Sequence, residues 1–564
     1  MANTFRRFPL VCAVVTIAGA AIAWAAAPAP RFYADDPLAR EPESQDASRA
    51  RPDDLSLLYD LSYNLFVTPG RDASNVHAIN VNTIDEVPDS SWFTNRIMPR
   101  KISAEDLVRG PNTGAAPNPE RWTIMREKSA GFSPGFTAKD ANGETWFLSF
   151  DAPGYPEGAT SAIVVASKIF WVLGYNQIES FVTTFDPRRA VIDPKATMRR
   201  PNGKRTPIRS DDVNAILERA ARSPDGTYRA AAGRLLPGTV VGPFRYEGTR
   251  PDDPNDLVDH QHRRELRALR VFGAWTNLTD LKAGNTLDTV VPMGGRSVVR
   301  HYLQDVGSTF GIGANGPHDW DEGFEYFYEP GPSRSRLLSL GLARSPWQKA
   351  SYIEYPSIGR FESERFDPTT WKPHAPTTAY MELLPDDAFW AARRVAAFDD
   401  ALIQAIVHAG QYSDAAAEQH LAAVLIQRRD KIARAYLPAV NPIVNAALGA
   451  DGNLTFENAA VAAHVAEAPS SYSAEWAAFD NQAGTAQRLG TSKGSGPLLM
   501  APAALSSRAG DMVQIDVAAE GATSVRKPVR LHFRRSADGW VLVGLDRGIG
   551  GAPPVVPTTA RRER

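Results

Sequence analysis

The sequence Asp280-Leu-Lys-Ala-Gly-Asn285 lies between an apolar helical pattern and a predicted hairpin, and the rest of the chain is interpreted outward from it. Before it, apolar residues recur at spacing three over 266–275, which predicts a helix. After it, an extended run over 286–291 turns at Pro292-Met-Gly-Gly295 into a second run over 297–303. The second run leads to Asp305-Val-Gly307. This order predicts that two acids and an amide lie at the ends of one helix–loop–hairpin unit.

The unit resembles the catalytic centre of the protein-kinase-like superfamily. There a catalytic aspartate is followed five positions later by an asparagine, and a hairpin leads to an Asp-Phe-Gly motif. Here Leu278-Thr279 replaces the usual His-Arg before the aspartate, and Val306 replaces the phenylalanine. These departures make the unit similar to the atypical branches, namely HipA-type toxin kinases, CotH spore-coat kinases and secretory-pathway casein kinases. The alternative is a polar loop with an Asp-Gly turn.

The resemblance implies a role for each polar residue of the unit. Asp280 would be the catalytic aspartate that orients the attacking hydroxyl, and Lys282 would reach the terminal phosphate. Asn285 and Asp305 would hold Mg²⁺ on the phosphates of ATP, because amide and carboxylate oxygens suit that ion.

Residues 122–150 predict three strands, with a glycine turn over 129–135 and a hairpin turn at Asn142-Gly143. A helix over 160–173, ended by Gly174, follows. This order resembles a kinase N-lobe, which implies that Gly131 and Gly135 lie over the nucleotide phosphates. The turn is nevertheless not a G-x-G-x-x-G sequence.

The resemblance fails at the residues that bind phosphate in kinases. Ser149 stands where the third strand would carry a lysine, and the helix over 160–173 has no glutamate. Lys128 or Lys139, on neighbouring strands, would have to supply the cation. The alternative for either lysine is a solvated strand face.

The N-terminus predicts export. Arg6-Arg7 precede an apolar run over 9–23, and Ala23-Trp-Ala-Ala-Ala-Pro28 offers small residues for cleavage. Cys12, the one cysteine, lies inside this run, so a mature chain would have no disulfide. We expect a bacterial periplasmic or secreted protein that keeps no stable membrane anchor after cleavage. An uncleaved anchor is the alternative.

Composition excludes little beyond nucleic-acid binding. The formal net charge of the 564 residues is −2, with 43% hydrophobic residues, as in ordinary soluble proteins. No basic stripe with interleaved aromatic residues is present, so we expect no nucleic acid as a partner. The kinase resemblance implies a nucleotide and a protein or small-molecule substrate as partners.

An Asp- and His-rich stretch supports a different function. The sequence 248–262 carries four aspartates and two histidines, without a recognised metal spacing. A metal-dependent hydrolase using Asp259, His260, Asp280 and Asp305 is therefore an alternative, and a polar loop is another.

The domain prediction completes this interpretation. It assigns a signal peptide (1–30), a disordered linker (31–54), a kinase-like domain (55–437, N-lobe about 122–246, C-lobe about 260–437), a C-terminal β domain of sandwich type (438–550) and a disordered tail (551–564). The predicted fold class is α+β, with a β-rich N-lobe and a helical C-lobe. The predicted function is a kinase-like protein that binds a magnesium nucleotide, either transferring phosphate or acting as a pseudokinase. A non-catalytic periplasmic binding or structural protein is the remaining alternative.

Overall fold

The computed structural model describes most of the chain, namely residues 29–53, 55–68, 70, 73–98, 100–128, 133–200, 202–342, 344–508, 510–521 and 527–549. The predicted signal peptide lies outside the described residues except for its last two positions, and the predicted tail lies wholly outside them. Within the described ranges, none of the helices combines the length and the apolar character needed to cross a membrane.

Residues 31–53 contain neither helix nor strand, yet they are packed against the rest of the protein. Phe32 is 5% exposed and shares a small core with three side chains of the C-terminal domain. The Arg263 guanidinium binds the Glu41 carboxylate at 3.1 Å, and Ala47 is buried against Val241. This segment was expected to be a solvated linker; it is instead a packed strap, because Phe32, Glu41 and Ala47 each have a buried partner.

One seven-stranded sheet forms the N-lobe, in the order β4-β7-β3-β2-β1-β5-β6. Its pairs are antiparallel except that β5 runs parallel to β1. Its strands are β1 (Trp122–Glu127), β2 (Gly135–Lys139), β3 (Thr145–Phe150), β4 (Ser180–Phe185), β5 (Ala190–Arg199), β6 (Arg205–Pro207) and β7 (Tyr228–Arg234). The helices up to this point are α1 (Leu57–Ser62), continued by a π turn (Tyr63–Val67), α2 (Ala104–Arg109), α3 (Gly158–Leu173) and α4 (Ser210–Leu217).

The helix α3 joins the sheet to the helical lobe. Asp151, directly after β3, accepts hydrogen bonds from the backbone and hydroxyl groups of Thr160 at 2.8 and 2.9 Å, which fixes the first turn of α3. Gly174, at φ 124°, ends the helix as its sequence predicts. The apolar side chains of α3 share one core with the helices of the C-lobe, so the lobes are packed on each other through this helix.

The C-lobe is built around α5 (Arg264–Thr276) and a β-hairpin. The hairpin strands join a short strand in a three-stranded sheet, which comprises β8 (Thr239–Gly242), β9 (Thr286–Met293) and β10 (Arg296–Leu303). Residues 308–377 are mostly irregular. They contain a short hairpin whose strands have two residues each, β11 (Ile312–Gly313) and β12 (Gly316–Pro317), and the helix α6 (Pro330–Leu338). The remaining helices are α7 (Thr378–Met381), α8 (Pro385–Ala396), α9 (Asp400–His408) and α10 (Ala415–Tyr436).

Two sheets form the C-terminal domain, and their inner faces share one apolar core. The first sheet has three strands, β13 (Ile443–Leu448), β14 (Asn453–Asn458) and β17 (Leu498–Met500). The second has five, β15 (Ser471–Asp480), β16 (Thr485–Gly494), β18 (Met512–Glu520), β19 (Val529–Ser536) and β20 (Gly539–Asp546). Two short helices, α11 (Ala459–Ala462) and α12 (Ala504–Arg508), lie between strands. The predicted α+β class with a C-terminal β domain is confirmed.

Candidate active site

The register of the β9–β10 hairpin brings Asn285 against Asp305. Thr286 pairs with Leu303 at the open end of the hairpin. One step further, the backbone N–H of Asp305 donates to the Asn285 carbonyl at 3.0 Å. The Asn285 side-chain amide donates to the Asp280 carbonyl at 2.8 Å. Asp280 and Asp305 are therefore each hydrogen-bonded to Asn285, through their own backbone groups.

The glycine of the Asp305-Val-Gly307 motif lies against α3. A Cβ atom on Gly307 would lie 2.7 Å from Cγ1 of Ile163, so only glycine allows α3 to pack this closely. The Gly307 N–H also donates to Oδ1 of Asp305 at 3.1 Å, and the Asp305 side chain is exposed. The motif thus turns its carboxylate outward beside the N-lobe.

Lys128, directly after β1, places a positive charge within electrostatic reach of the Asp305 carboxylate. Its ammonium donates to the Ser149 hydroxyl at 3.0 Å, and its backbone N–H donates to the Gly135 carbonyl at 3.1 Å. Burial lowers the pKa of Lys128, and the charge of Asp305 opposes that shift. An N-lobe lysine therefore lies within electrostatic reach of an acid that the C-lobe hairpin positions, with an asparagine beside it. The arrangement resembles a kinase-like fold.

Comparison with known proteins finds solved structures that this chain resembles. The chain resembles the Helicobacter pylori proinflammatory kinase CtkA with a TM-score of 0.31 and 13% identity, over 56% of this chain and 96% of that one. It resembles the Golgi casein kinase with Mn/ADP bound with a TM-score of 0.29 and 11% identity, over 70% and 94% of the two chains. A second structure of the Golgi casein kinase gives a TM-score of 0.30, 12% identity and coverage of 70% and 93%. No family model and no curated protein matches the sequence.

In the N-lobe half of the candidate site, the cation does not come from the β3 position that the resemblance implies. Ser149 lies opposite Gly135 in the sheet and is 8% exposed, so the vacant lysine position is filled by the side chain of Lys128. A Cβ atom on Gly135 would lie 2.0 Å from the Leu148 carbonyl oxygen, which explains why a glycine is needed there. Lys139 is exposed at the far end of β2. Gly131, predicted to cover the phosphates, lies outside the described residues.

Asp280 lies in a charged setting that its sequence motif does not reveal. Its Oδ2 binds the Lys282 ammonium at 2.7 Å, with 28% of the aspartate and 38% of the lysine side chain exposed. Its negative charge also acts on Tyr246, His318 and His374. The proposed base is therefore neither buried nor isolated, and Lys282 is close enough to hold it.

A buried acid–histidine group supports the Asp280 loop from behind. The Thr279 hydroxyl donates to Glu322 at 2.6 Å, and this carboxylate also lies 3.2 Å from both His318 and His374. Burial raises the pKa of Glu322, but these partners outweigh it and bring the pKa down to about 2. Burial lowers the pKa of His374, and Glu322 together with Asp280 reverses the shift, so the net pKa is raised. Burial leaves the pKa of His318 lowered.

Sequence reasoning missed this group. The stretch His318-Asp-Trp-Asp-Glu322 is visible as polar sequence, but it lies in an irregular segment without a period that would place it. Thr279 and Glu322 are 43 residues apart, and no local pattern predicts such a pairing.

A cavity of about 640 Å³ opens on the other side of Glu322. Its lining includes Arg270, Arg360 and Arg428 together with the aromatic rings of Tyr352 and Trp371. Arg428 is 4% exposed, and its guanidinium donates only to backbone carbonyls among the described residues, at 2.7 and 3.0 Å. The residues Asp280, Asn285 and Asp305 do not belong to the lining, so this space is a neighbour of the candidate site and not part of it.

The hydrolase alternative gains no support from the Asp- and His-rich stretch. His260 is 2% exposed and binds the Asp256 carboxylate at 2.7 Å, and His262 binds Arg267 at 2.7 Å. Burial raises the pKa of Asp256, but His260 and Arg263 outweigh it, so the net pKa is lowered. In the part of the chain that the structure describes, no cluster of three or more His, Cys, Asp or Glu side chains could hold a metal ion. These residues anchor the start of α5, as structural ion pairs do.

Proposed function

We propose that the protein binds a magnesium nucleotide between its lobes and transfers the terminal phosphate to a hydroxyl oriented by Asp280. The observation that carries this proposal is the pair of hydrogen bonds that join Asn285 to Asp280 and to Asp305, with the Lys128 ammonium within electrostatic reach of Asp305. A cation, a carboxylate and an amide oxygen from two lobes are the set that phosphoryl transfer uses for positioning and charge stabilisation.

The side chains present fit a magnesium nucleotide. The amide nitrogen of Asn285 is held by the Asp280 carbonyl, which leaves its Oδ1 as the outward acceptor. One oxygen of Asp305 accepts from Gly307, and the exposed carboxylate retains its second oxygen for a ligand. Hard oxygen donors of this kind bind Mg²⁺ together with phosphate oxygens. When bound, the magnesium nucleotide would supply the phosphoryl group, polarised by the metal.

The remaining chemistry belongs to Asp280 and Lys282. The Asp280 carboxylate would accept a hydrogen bond from the acceptor hydroxyl and thereby fix its direction of attack. Lys282, now paired with Asp280 at 2.7 Å, would shift toward the negative charge of the phosphate as it approaches. If no phosphate is transferred to the hydroxyl, the same residues would make the protein a nucleotide-binding pseudokinase.

A thermal-shift titration with ATP, with and without Mg²⁺, tests the binding half of the proposal. A ligand that binds only the folded state at ~100 times its dissociation constant adds about 2.7 kcal/mol to the free energy of unfolding. We expect a metal-dependent shift for wild type, and none for Asp305→Ala. Asp280→Ala should bind normally and lose phosphate transfer in an assay with labelled ATP.

Two outcomes separate the alternatives. Equal binding by wild type and Asp280→Ala, without transfer by either, identifies a pseudokinase. The absence of any metal-dependent shift at millimolar ATP or GTP overturns nucleotide binding altogether.

We also propose that the protein acts outside the cytoplasm. The basic start, apolar run and alanine-rich exit of the first 30 positions support this. N-terminal sequencing of the protein recovered outside the cytoplasm should start between Ala25 and Ala29. Recovery with Met1 intact would refute cleavage.

A further inference from the structure

Four leucines at the end of α6 and in the turn after it are almost fully exposed. The exposed fractions of Leu337, Leu338, Leu340 and Leu342 are 75%, 76%, 91% and 84%. The helix α6 itself has no buried residue. Single exposed leucines are ordinary, but four within six positions form an apolar patch of the kind that marks an interaction site.

A second group of exposed apolar side chains lies before α6 and in the turn after α1. Phe327 and Tyr328 are 77% and 46% exposed, and the Tyr328 ring lies 5.3 Å from the ring of Phe66. Phe66, in the π turn after α1, is itself 67% exposed. Together Phe66, Phe327, Tyr328 and the four leucines form what we call the leucine surface.

The backbone spreads these leucines over a protruding tip and not along a helix stripe. The helix ends at Leu338, and Leu340 and Gly341 follow with φ of 51° and 85°, in the left-handed region. A protein groove that receives a helix contacts residues at spacings of three and four. A lipid interface imposes no such spacing, and it accepts apolar side chains fanning out from a turn.

The segment that carries the four leucines has charges of one sign. The sequence 330–350 contains Arg334, Arg336, Arg344 and Lys349 and no acidic residue. The two acids just before it are neutralised, since Glu325 binds Arg336 at 2.7 Å and Glu329 binds Lys372 at 2.6 Å. Arg334, Arg344 and Lys349 form no ion pair with any described residue. Three free cations thus flank an exposed apolar tip.

We infer that the leucine surface docks on a bilayer that carries anionic lipids. The leucine side chains enter the acyl boundary, and Arg334, Arg344 and Lys349 contact the headgroups. The binding is peripheral and reversible, and it adds a location to the proposed function without depending on nucleotide binding.

The helix α1, which leads to Phe66, contacts the candidate active site. Leu57, at the start of α1, packs its methyl carbon 3.2 Å from the position a Cβ would take on Gly284. Gly284 belongs to the loop between Asp280 and Asn285.

Vesicle flotation of the full chain tests the inference. The vesicles contain phosphatidylcholine mixed with phosphatidylglycerol, or phosphatidylcholine alone, at low and high salt. The test variant is Leu338→Glu/Leu340→Glu, and the matched control is Leu498→Glu, whose leucine is 50% exposed on the C-terminal domain. Circular dichroism should show native folding for both, since all three side chains are exposed.

We expect wild type and the control to float with the anionic vesicles, and less so at high salt because the headgroup attraction is screened. The double variant should lose about tenfold in vesicle affinity, since it replaces two inserting leucines by charge. Failure of wild type to float, or equal flotation of the double variant, overturns the inference. A wild-type dimer in sedimentation that the double variant dissociates also overturns it, because the occupant is then a second copy of the chain.

Discussion

The Lys128 ammonium interacts with one group in each lobe. The Ser149 hydroxyl accepts its hydrogen bond within the sheet, and the Asp305 carboxylate attracts its charge from the other lobe. A lysine that reaches over a neighbouring strand thereby fills the position that a lysine on β3 would occupy. The sequence offered Lys128 and Lys139 equally, and only the register of β1, β2 and β3 separates them.

Lys128→Met should abolish the metal-dependent thermal shift with ATP, while the exposed Lys139→Met should keep it. The reason is that methionine retains the packing of the stem and removes the charge beside Asp305. Nucleotide titration of both variants measures this. A normal shift in Lys128→Met would mean that the cation comes from elsewhere.

Ser149→Lys, introduced alone, should lower the free energy of unfolding. The new ammonium would lie against that of Lys128, 3.0 Å from the present hydroxyl, and like charges at such a distance repel. The exchange Lys128→Ser/Ser149→Lys removes the repulsion and should restore the nucleotide-dependent shift. Loss of the shift in both the single and the exchanged variant would contradict a direct role for the charge.

Glu322 should make the stability of the protein fall in acid. Its pKa is about 2 in the folded protein against an ordinary 4.5, so its contribution is present above 4.5 and is lost as pH falls from there toward 2. The contribution is about 3 kcal/mol. Urea unfolding across this range should show a shallower acid loss for Glu322→Gln. Glu364→Gln, at a side chain 75% exposed, is the control that should retain the wild-type slope.

At the scale of elements, the start of α5 is held by arginines that are buried and paired. Arg264 and Arg267 are 1% and 0% exposed, and both bind the Asp387 carboxylate, at 2.9 and 3.0 Å. Asp387 lies in the first turn of α8, where it also accepts from the Leu384 N–H at 3.0 Å. One carboxylate thus joins two helices of the C-lobe core and orients the helix that leads to Asp280.

Asp387→Ala should destabilise the protein by ~3–5 kcal/mol, because it leaves two buried guanidinium groups without this partner. The free energy of unfolding in urea measures the loss. Asp430→Ala, on a residue whose side chain is 39% exposed beside Arg429, should change it by ~1 kcal/mol or less. A small effect at Asp387 would mean that Asp85 and Asp386 are sufficient partners.

The periodic elements were predictable from sequence, and the polar contacts between them were not. The stripe over 266–275 predicts α5, since its apolar residues do face the core, but Arg264 and Arg267 are buried as well. An apolar stripe predicts which face of a helix packs on the core. It cannot predict that acids more than a hundred positions away cover the opposite face. The segment from Pro385 to His408 forms two helices, α8 and α9, because the Asp399 side chain accepts from the Leu402 N–H at 2.9 Å and starts α9.

At the scale of the whole molecule, the packed strap of residues 31–53 connects the two ends of the protein. The Arg534 guanidinium donates to the Tyr33 carbonyl at 2.6 Å, and Phe32 lies among Phe479, Met512 and Val543. Further along, the strap contacts the C-lobe through Glu41 and Arg263. Composition alone misplaced this segment, because a short irregular chain with charged residues has no period even when it is buried.

Phe32→Ala should lower the free energy of unfolding by ~3 kcal/mol, the usual cost of removing a buried ring. The measurement is urea unfolding followed by tryptophan fluorescence. Tyr59→Ala, whose ring is 66% exposed, is the control and should leave stability nearly unchanged. An equally small change at Phe32 would mean that the strap contributes little to stability.

The strap can reach its native position only late in the synthesis of the chain. Tyr33 leaves the ribosome among the first residues of the folded part, but its partner Arg534 follows 501 residues later. Until then the strap has no C-terminal surface to bind, and its loop can close only after nearly the whole polypeptide is available. A nascent chain truncated before β19 should therefore show residues 31–53 open to protease, whereas the released full-length chain protects them.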